Sequence, residues 1–194
     1  MTTKGILLLA VAVLLAGGCA GPYYFDLQAD VPARRGMTQV DKVLRIDRIT
    51  ISETYRDYRI VVRESPFRVK YAWFASWSRS PDELIGDAVL RFFGKRSVFR
   101  KVETIESGDD HDLEMRIRVE AIEKCLVGRR WHARLALDVE IVDPESGALL
   151  LNHSFDRKVP LEGKKTRLVP GKIAMILHEE LLRIEARLLR GEGM

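Results

Sequence analysis

Cys19 is the residue whose type and position point most directly to chemistry. Its thiol follows Ala16-Gly17-Gly18, which closes an unbroken apolar run from Ile6 to Ala16 with Lys4 ahead of it. A basic start, an apolar core of about 7–15 residues and a small-residue cleavage site are the layout of a bacterial export signal. The run is shorter than the roughly 20 apolar residues that a membrane-spanning helix needs. A cysteine at the cleavage boundary makes Ala16-Gly17-Gly18-Cys19 a lipobox. The chemistry expected is removal of residues 1–18 and acylation of Cys19, palmitate being the kind of chain attached. Two or more acyl chains, at about 0.8 kcal/mol per buried CH₂, hold a protein stably on a membrane. The competing reading is an ordinary secretory signal with an incidental cysteine.

Elsewhere the residue types capable of chemistry lack the spacing for it. The chain has no nucleotide-binding glycine loop, GxSxG elbow, HExxH or CxxC. His111, His132, His153 and His178 stand too far apart for local ligand spacing. Asp109-Asp110-His111-Asp112 could hold a cation, but a metal site needs convergent ligands and a supporting shell, and a solvated acidic turn accounts for the run. Glu114, Glu120, Asp138 and Glu140 fall on strand faces expected to be solvated, where nothing shifts a carboxylate toward catalysis. Cys125, without an intramolecular partner once Cys19 carries lipid, reads as a buried inert thiol. Arg129-Arg130 and Lys164-Lys165-Arg167 sit in turns, either as solubilising charge or as contacts to lipid headgroups or a partner. The expectation is a protein that is not an enzyme, with no metal and no cofactor beyond the lipid on Cys19.

Composition agrees with export of a folded domain. The chain is 46% hydrophobic and 31% charged, values of a globular protein, so residues 19–194 are expected to form a single periplasmic domain. Net charge is +4. In a cytosolic protein such a balance would suggest nucleic acid. Export removes that partner and leaves anionic headgroups or an acidic protein surface.

Several elements must position whatever the domain does. An aromatic strand is expected at Pro22–Leu27, so that Tyr23 starts the fold only four residues after Cys19. Leu44 to Ser52 alternates as a strand, and Ile60-Val61-Val62 follows after a polar turn. Phe67, Val69, Tyr71 and Trp73 share one strand face, which assigns Trp73 to the core. Phe74 falls out of phase and Trp77 lies in the connection beyond, which makes these two the candidate partner interface. Ser80-Pro81-Asp82-Glu83 reads as a capping box for a helix striped by Leu84, Ile85, Ala88, Val89, Phe92 and Phe93 and ended by Gly94. From Leu113 the period becomes two, over Leu113–Ala121, Ala133–Ile141 and Leu149–Val159. A closing helix, roughly Gly171 to Leu189, carries Ile173, Ile176, Leu177, Leu181, Ile184 and Leu188 on one stripe. The fold class expected is α+β in two layers, one antiparallel sheet (a meander) backed by two amphipathic helices.

Taken together these features resemble the ABC-type transport auxiliary lipoproteins, the group that includes paraquat-inducible protein C. They are the lipobox, an early Tyr-Phe-x-Leu strand (Tyr24, Phe25, Leu27), and a tyrosine-bearing turn (Tyr55) into the Ile-Val-Val-Arg strand of Ile60 to Arg63. Trp77 before an amphipathic helix, a meander and a C-terminal helix complete the pattern. The resemblance implies an outer-membrane lipoprotein facing the periplasm. Its role would be adaptor to an ABC transporter and an MCE (mammalian cell entry) protein in intermembrane lipid transport. Ala20, where an aspartate would suggest inner-membrane retention, fits outer-membrane sorting. A homo-oligomer is compatible with this role, and nucleic acid is not an expected partner. Two other classes stay open: an assembly or plug lipoprotein of an outer-membrane barrel, and a periplasmic lipid-carrying domain. A carrier should enclose an apolar pocket of about 300–1,000 Å³, an adaptor should have a filled core and an exposed patch.

Overall fold

The computed structural model describes residues 21–28, 31–34, 40–108 and 110–191. Cys19 and the expected signal segment lie outside them. Nine strands form one sheet: β1 Tyr23–Phe25, β2 Val40–Ile46, β3 Thr50–Ile51, β4 Arg59–Ser65, β5 Arg68–Trp77, β6 Phe99–Thr104, β7 Leu113–Val127, β8 Arg130–Val142 and β9 Leu149–Pro160. Among the described residues three α-helices accompany them: α1 Glu53–Arg56, α2 Pro81–Arg96 and α3 Val169–Leu189.

The meander expected from the period-two pattern is present, since β8 pairs antiparallel with β7 along one edge and with β9 along the other. The sheet as a whole is mixed, which corrects the antiparallel expectation. On its other edge β7 takes three parallel partners in succession: β2 at Leu113–Met115, β3 at Arg118–Val119 and β4 at Glu123–Cys125. In effect β2, β3 and β4 are one long strand broken twice, the second time by α1. From this broken strand the sheet forks, with β6 parallel to β2, β5 antiparallel to β4, and β1 parallel to β5. Alternation along a strand reports burial of one face and carries no information on the direction of its neighbour. That is why the mixed character was not legible.

The two long helices cover the sheet as their apolar stripes require. Leu84, Ile85, Val89, Phe92 and Phe93 of α2 are buried, as are Ile173, Ile176, Leu177, Leu181, Ile184 and Leu188 of α3. Buried acids tie the helix layer together. Glu185 of α3 accepts a hydrogen bond from Arg96 Nε of α2 at 2.6 Å, and Glu180 meets His153 Nε2 at 2.9 Å and Arg157 Nη1 at 3.0 Å on β9. The third helix, α1, adds to the two expected, and its Tyr55 is buried.

Two local expectations for α2 are corrected. Ser80 is the N-cap residue and Pro81 opens the helix, but the Ser80 side chain makes no capping hydrogen bond. Gly94 does not end α2: the helix continues to Arg96, and Ser97 terminates it in the left-handed region at φ 49°. Lys95 and Arg96 are good helix formers and favour the negative end of the helix dipole, enough to carry the helix past a glycine. A Cβ at Gly94 would meet no atom within 4 Å. Gly94→Ala is therefore expected to raise the unfolding free energy by about 0.5–1 kcal/mol, read from urea melts. By contrast Gly86 lies 3.3 Å, measured from a built Cβ, from Ile49 Cδ1, and admits α2 close to the chain between β2 and β3.

The largest correction concerns β5. Val61 pairs with Tyr71, yet Arg59 pairs with Ser76. One residue of β4, Ile60, thus faces four of β5, Ala72 to Ala75, a bulge far larger than the usual single insertion. It breaks the alternation carried up from Phe67. Trp73, expected in the core, is 89% exposed, and Phe67, at the β4–β5 turn, is 98% exposed.

Candidate functional site

The bulge lines one side of a surface groove of about 570 Å³. Its floor is a row crossing three strands, Lys70 of β5, Val62 of β4 and Lys124 of β7, which the pairing register places side by side. Trp131 of β8 closes the floor, with the Lys124 ammonium 4.3 Å from its ring centroid. Tyr23 of β1 and the bulge residues Trp73 and Phe74 form one wall. Lys165, Thr166 and Arg167, in the connection from β9 into α3, form the other.

The electrostatics of the groove are one-sided, for four cations and no carboxylate line it. Lys70 is ion-paired with Glu64, which stands outside the lining, and that hydrogen bond, outweighing burial, holds the Glu64 carboxyl below its ordinary range. Lys124 is buried and donates to the Lys164 carbonyl at 2.6 Å and to Thr166 Oγ1 at 3.4 Å. Burial, and then the charge of Lys70, push the Lys124 ammonium pKa down. Lys165 and Arg167 are exposed and carry no ion pair among the described residues. The arrangement can bind an anion or an apolar-polar boundary.

Of the two residues expected at a partner interface, Phe74 is 66% exposed and lines the groove, whereas Trp77 is 1% exposed and packed in the core. Trp77 thus has no surface to give a partner: its side chain is packed in the core, while its backbone N–H bonds to the Tyr58 carbonyl and β1 pairs beside it at Phe25. Tyr23 begins β1 as expected. Lys70 was missed as a site residue because it fits the polar face of its strand, and Lys124 and Trp131 because they lie beyond the alternating runs at Leu113–Ala121 and Ala133–Ile141. The signal for this wall was the Lys164-Lys165-Arg167 turn.

The remaining candidates are placed as follows. Asp109 lies outside the described residues. Asp112 accepts from the Val43 amide at 2.7 Å and pairs with Lys42 and Arg100. Among the described residues no group of three His, Cys, Asp or Glu is placed to hold a metal ion. His178 packs edge-on to Phe92, and His132 Nδ1 lies 3.0 Å from the Arg130 carbonyl. Cys125 is a buried free thiol whose pKa is pushed up by burial and by the charge of Glu123.

Glu114, expected on a solvated face, is buried between Arg45 and Arg116. Burial alone would raise its pKa, but hydrogen bonding from Arg116 and the nearby arginine charges hold it low.

Another buried acid, Glu123, gathers partners from three other elements. Glu123 of β7, fully buried, accepts from Tyr55 Oη at 2.8 Å, from Arg63 Nε at 2.8 and 3.0 Å, and from Arg134 Nη1 at 3.0 Å. Arg134 in turn holds Asp156 through two bonds. Burial and the Glu123 charge push the Tyr55 phenol from 10.0 up to about 12. The neutral phenol is favoured by folding, so the stability this provides is intact below pH 10 and is lost as pH rises through about 12. Ultraviolet titration should show one tyrosine ionising about two pH units later than an ordinary phenol.

Between α2, α3, Leu27 and Val31, the cavity lined mainly by Phe92, Ala174, Leu177 and Leu181, with Arg91 and His178, measures only about 10 Å³. A single water needs about that much room. No helix among the described residues is long and apolar enough to cross a membrane.

A family model described as the ABC-type transport auxiliary lipoprotein component matches residues 25–172, from β1 into the start of α3. Among solved structures, protein XCC0632 from Xanthomonas campestris, of the DUF330 family, is similar at a TM-score of 0.77 and 18% identity, covering 87% of this chain and 96% of that one. A second, an uncharacterized protein, is similar at a TM-score of 0.68 and 10% identity, over 87% of this chain and 99% of that one. At such identities the likeness establishes a shared fold alone. No curated protein matches the chain. The family match covers most of the residues that build the sheet, and by it the protein belongs to the ABC-type transport auxiliary lipoprotein components.

Proposed function

We propose that the protein is the adaptor lipoprotein of an intermembrane lipid-transport system. Cys19 anchors it to the outer membrane on the periplasmic side, and its partners are an ABC transporter and an MCE-type protein. The family match supports the transport role, and Ala20 after the anchor supports outer-membrane sorting. The observation that carries the adaptor reading over a lipid carrier is the filled interior. A carrier must enclose its cargo in a pocket of about 300–1,000 Å³, whereas the cavity under the helices measures about 10 Å³ and the large groove is open on the surface.

Affinity purification of the lipidated protein from detergent-solubilised membranes tests this reading. An MCE-type protein and transporter subunits should come along. Recovery of barrel-assembly subunits instead, or of one tightly bound lipid per chain besides the anchor, would overturn it. Cys19→Ala should leave an unprocessed or mislocalised chain, and normal processing and membrane association of that variant would remove the anchor.

A further inference from the structure

The groove beside the β5 bulge has three properties that point to one occupant. The first is position. Tyr23, in its wall, starts β1 four residues after Cys19, and four residues reach roughly 14 Å at full extension. A lipid on Cys19 must therefore enter its bilayer close to this groove. The second is charge: Lys70, Lys124, Lys165 and Arg167 line the groove without a carboxylate among them. Glu64 already answers Lys70, which leaves the excess with the other three. In a chain with 28 acidic residues against 32 basic ones, such a segregation suits an anion. The third is the rim. Tyr23, Tyr24, Trp73 and Phe74 are all exposed, although aromatic side chains of this size are costly to leave in water. Rings with a polar edge beside basic side chains are the composition of a surface that rests in the headgroup layer.

We propose that this face seats the protein on the membrane that holds its anchor, Trp73, Phe74 and Tyr23 entering the headgroup layer while the groove takes up the phosphate of an anionic phospholipid between Lys124, Lys165 and Arg167. The proposal rests on lipidation of Cys19. A single lipid anchor leaves a domain free to tumble, and a second contact made by the folded surface fixes which face turns to the periplasm. The bulge serves this purpose physically: in a regular strand Trp73 and Phe74 would point to opposite faces, whereas with three extra residues both line the groove with Lys70.

The test uses the mature lipoprotein purified from membranes, its lipid on Cys19 verified by intact mass. It is reconstituted into phosphatidylethanolamine vesicles with or without phosphatidylglycerol, with acyl chains brominated near the carbonyl end. The Trp73 emission is obtained by difference from Trp73→Phe, a substitution at an exposed site that should leave the melting temperature unchanged. The expected result is a blue-shifted Trp73 emission quenched by the brominated lipid, more strongly with phosphatidylglycerol. Lys165→Glu with Arg167→Glu, both exposed, should abolish the phosphatidylglycerol dependence at an unchanged melting temperature.

Trp73 that stays open to aqueous acrylamide in the anchored protein overturns the proposal. So does Trp73 shielded from both quenchers, which would mean that a protein partner or second copy covers it. Quenching indifferent to phosphatidylglycerol overturns the phosphate contact. A mature chain without lipid on Cys19 overturns the proposal together with the anchor, an outcome that the mass measurement separates from the others.

Discussion

Glu123→Ala is expected to lower the unfolding free energy by about 3–5 kcal/mol, the loss characteristic of breaking a buried ion pair from one side. Glu123 has no exposed surface and satisfies two arginines and a tyrosine at once. Without it, Arg63 keeps only the Tyr55 hydroxyl and Arg134 only Asp156, and both guanidiniums remain partly buried. For a domain of this size the melting temperature should fall by about 6–20 °C. Joint replacement of Arg63, Glu123 and Arg134 by apolar residues of similar volume should cost much less, because it removes the uncompensated charges as well. A loss under about 1 kcal/mol for Glu123→Ala would mean that water enters beside Arg63 and Arg134 and rehydrates them.

The second large effect is a contrast between two tryptophans four residues apart. Trp77→Ala is expected to cost about 3–5 kcal/mol, because a fully packed indole leaves a cavity that its neighbours fill only in part. Trp77 is packed beneath the β1–β5 pairing, in the same core as Leu27 and Leu84. Trp73→Ala should change stability by no more than about 0.5 kcal/mol, since an exposed side chain has little packing to lose. Chemical denaturation of the two variants side by side checks both values. Equal losses would show that the Ala72–Ala75 bulge is absent in solution and that β5 runs regularly, with Trp73 in the core.

That pair marks the boundary between what local sequence determines and what it does not. The stripes of α2 and α3, the strands of the meander and the start of β1 at Tyr23 follow from periods, apolar runs and turn residues within a few positions of one another. Such signals arise where one face of an element meets a core, and the structure returns them nearly residue for residue. The resemblance to transport auxiliary lipoproteins rested on the same kind of evidence, and the family match bears it out.

Long-range pairing settled the rest. Whether β2, β3 and β4 join β7 in parallel depends on chain segments up to about seventy residues apart, and alternation reads the same for either direction. The bulge in β5 puts Trp77 on the face opposite Tyr71 without any change in composition, because three inserted residues, an odd number, invert a period of two. Likewise the single insertion at Glu120 in β7 turns Ile122 toward the helices and Glu123 away from them, where Tyr55, Arg63 and Arg134 converge on it. The sequence by itself determined the apolar stripes of α2 and α3 and the strands of the meander, since each is a local balance of burial and propensity. Only the tertiary structure decided which strands meet, where a strand slips its register, and hence which aromatics and charges stand together at the groove, because those depend on partners that no local window contains.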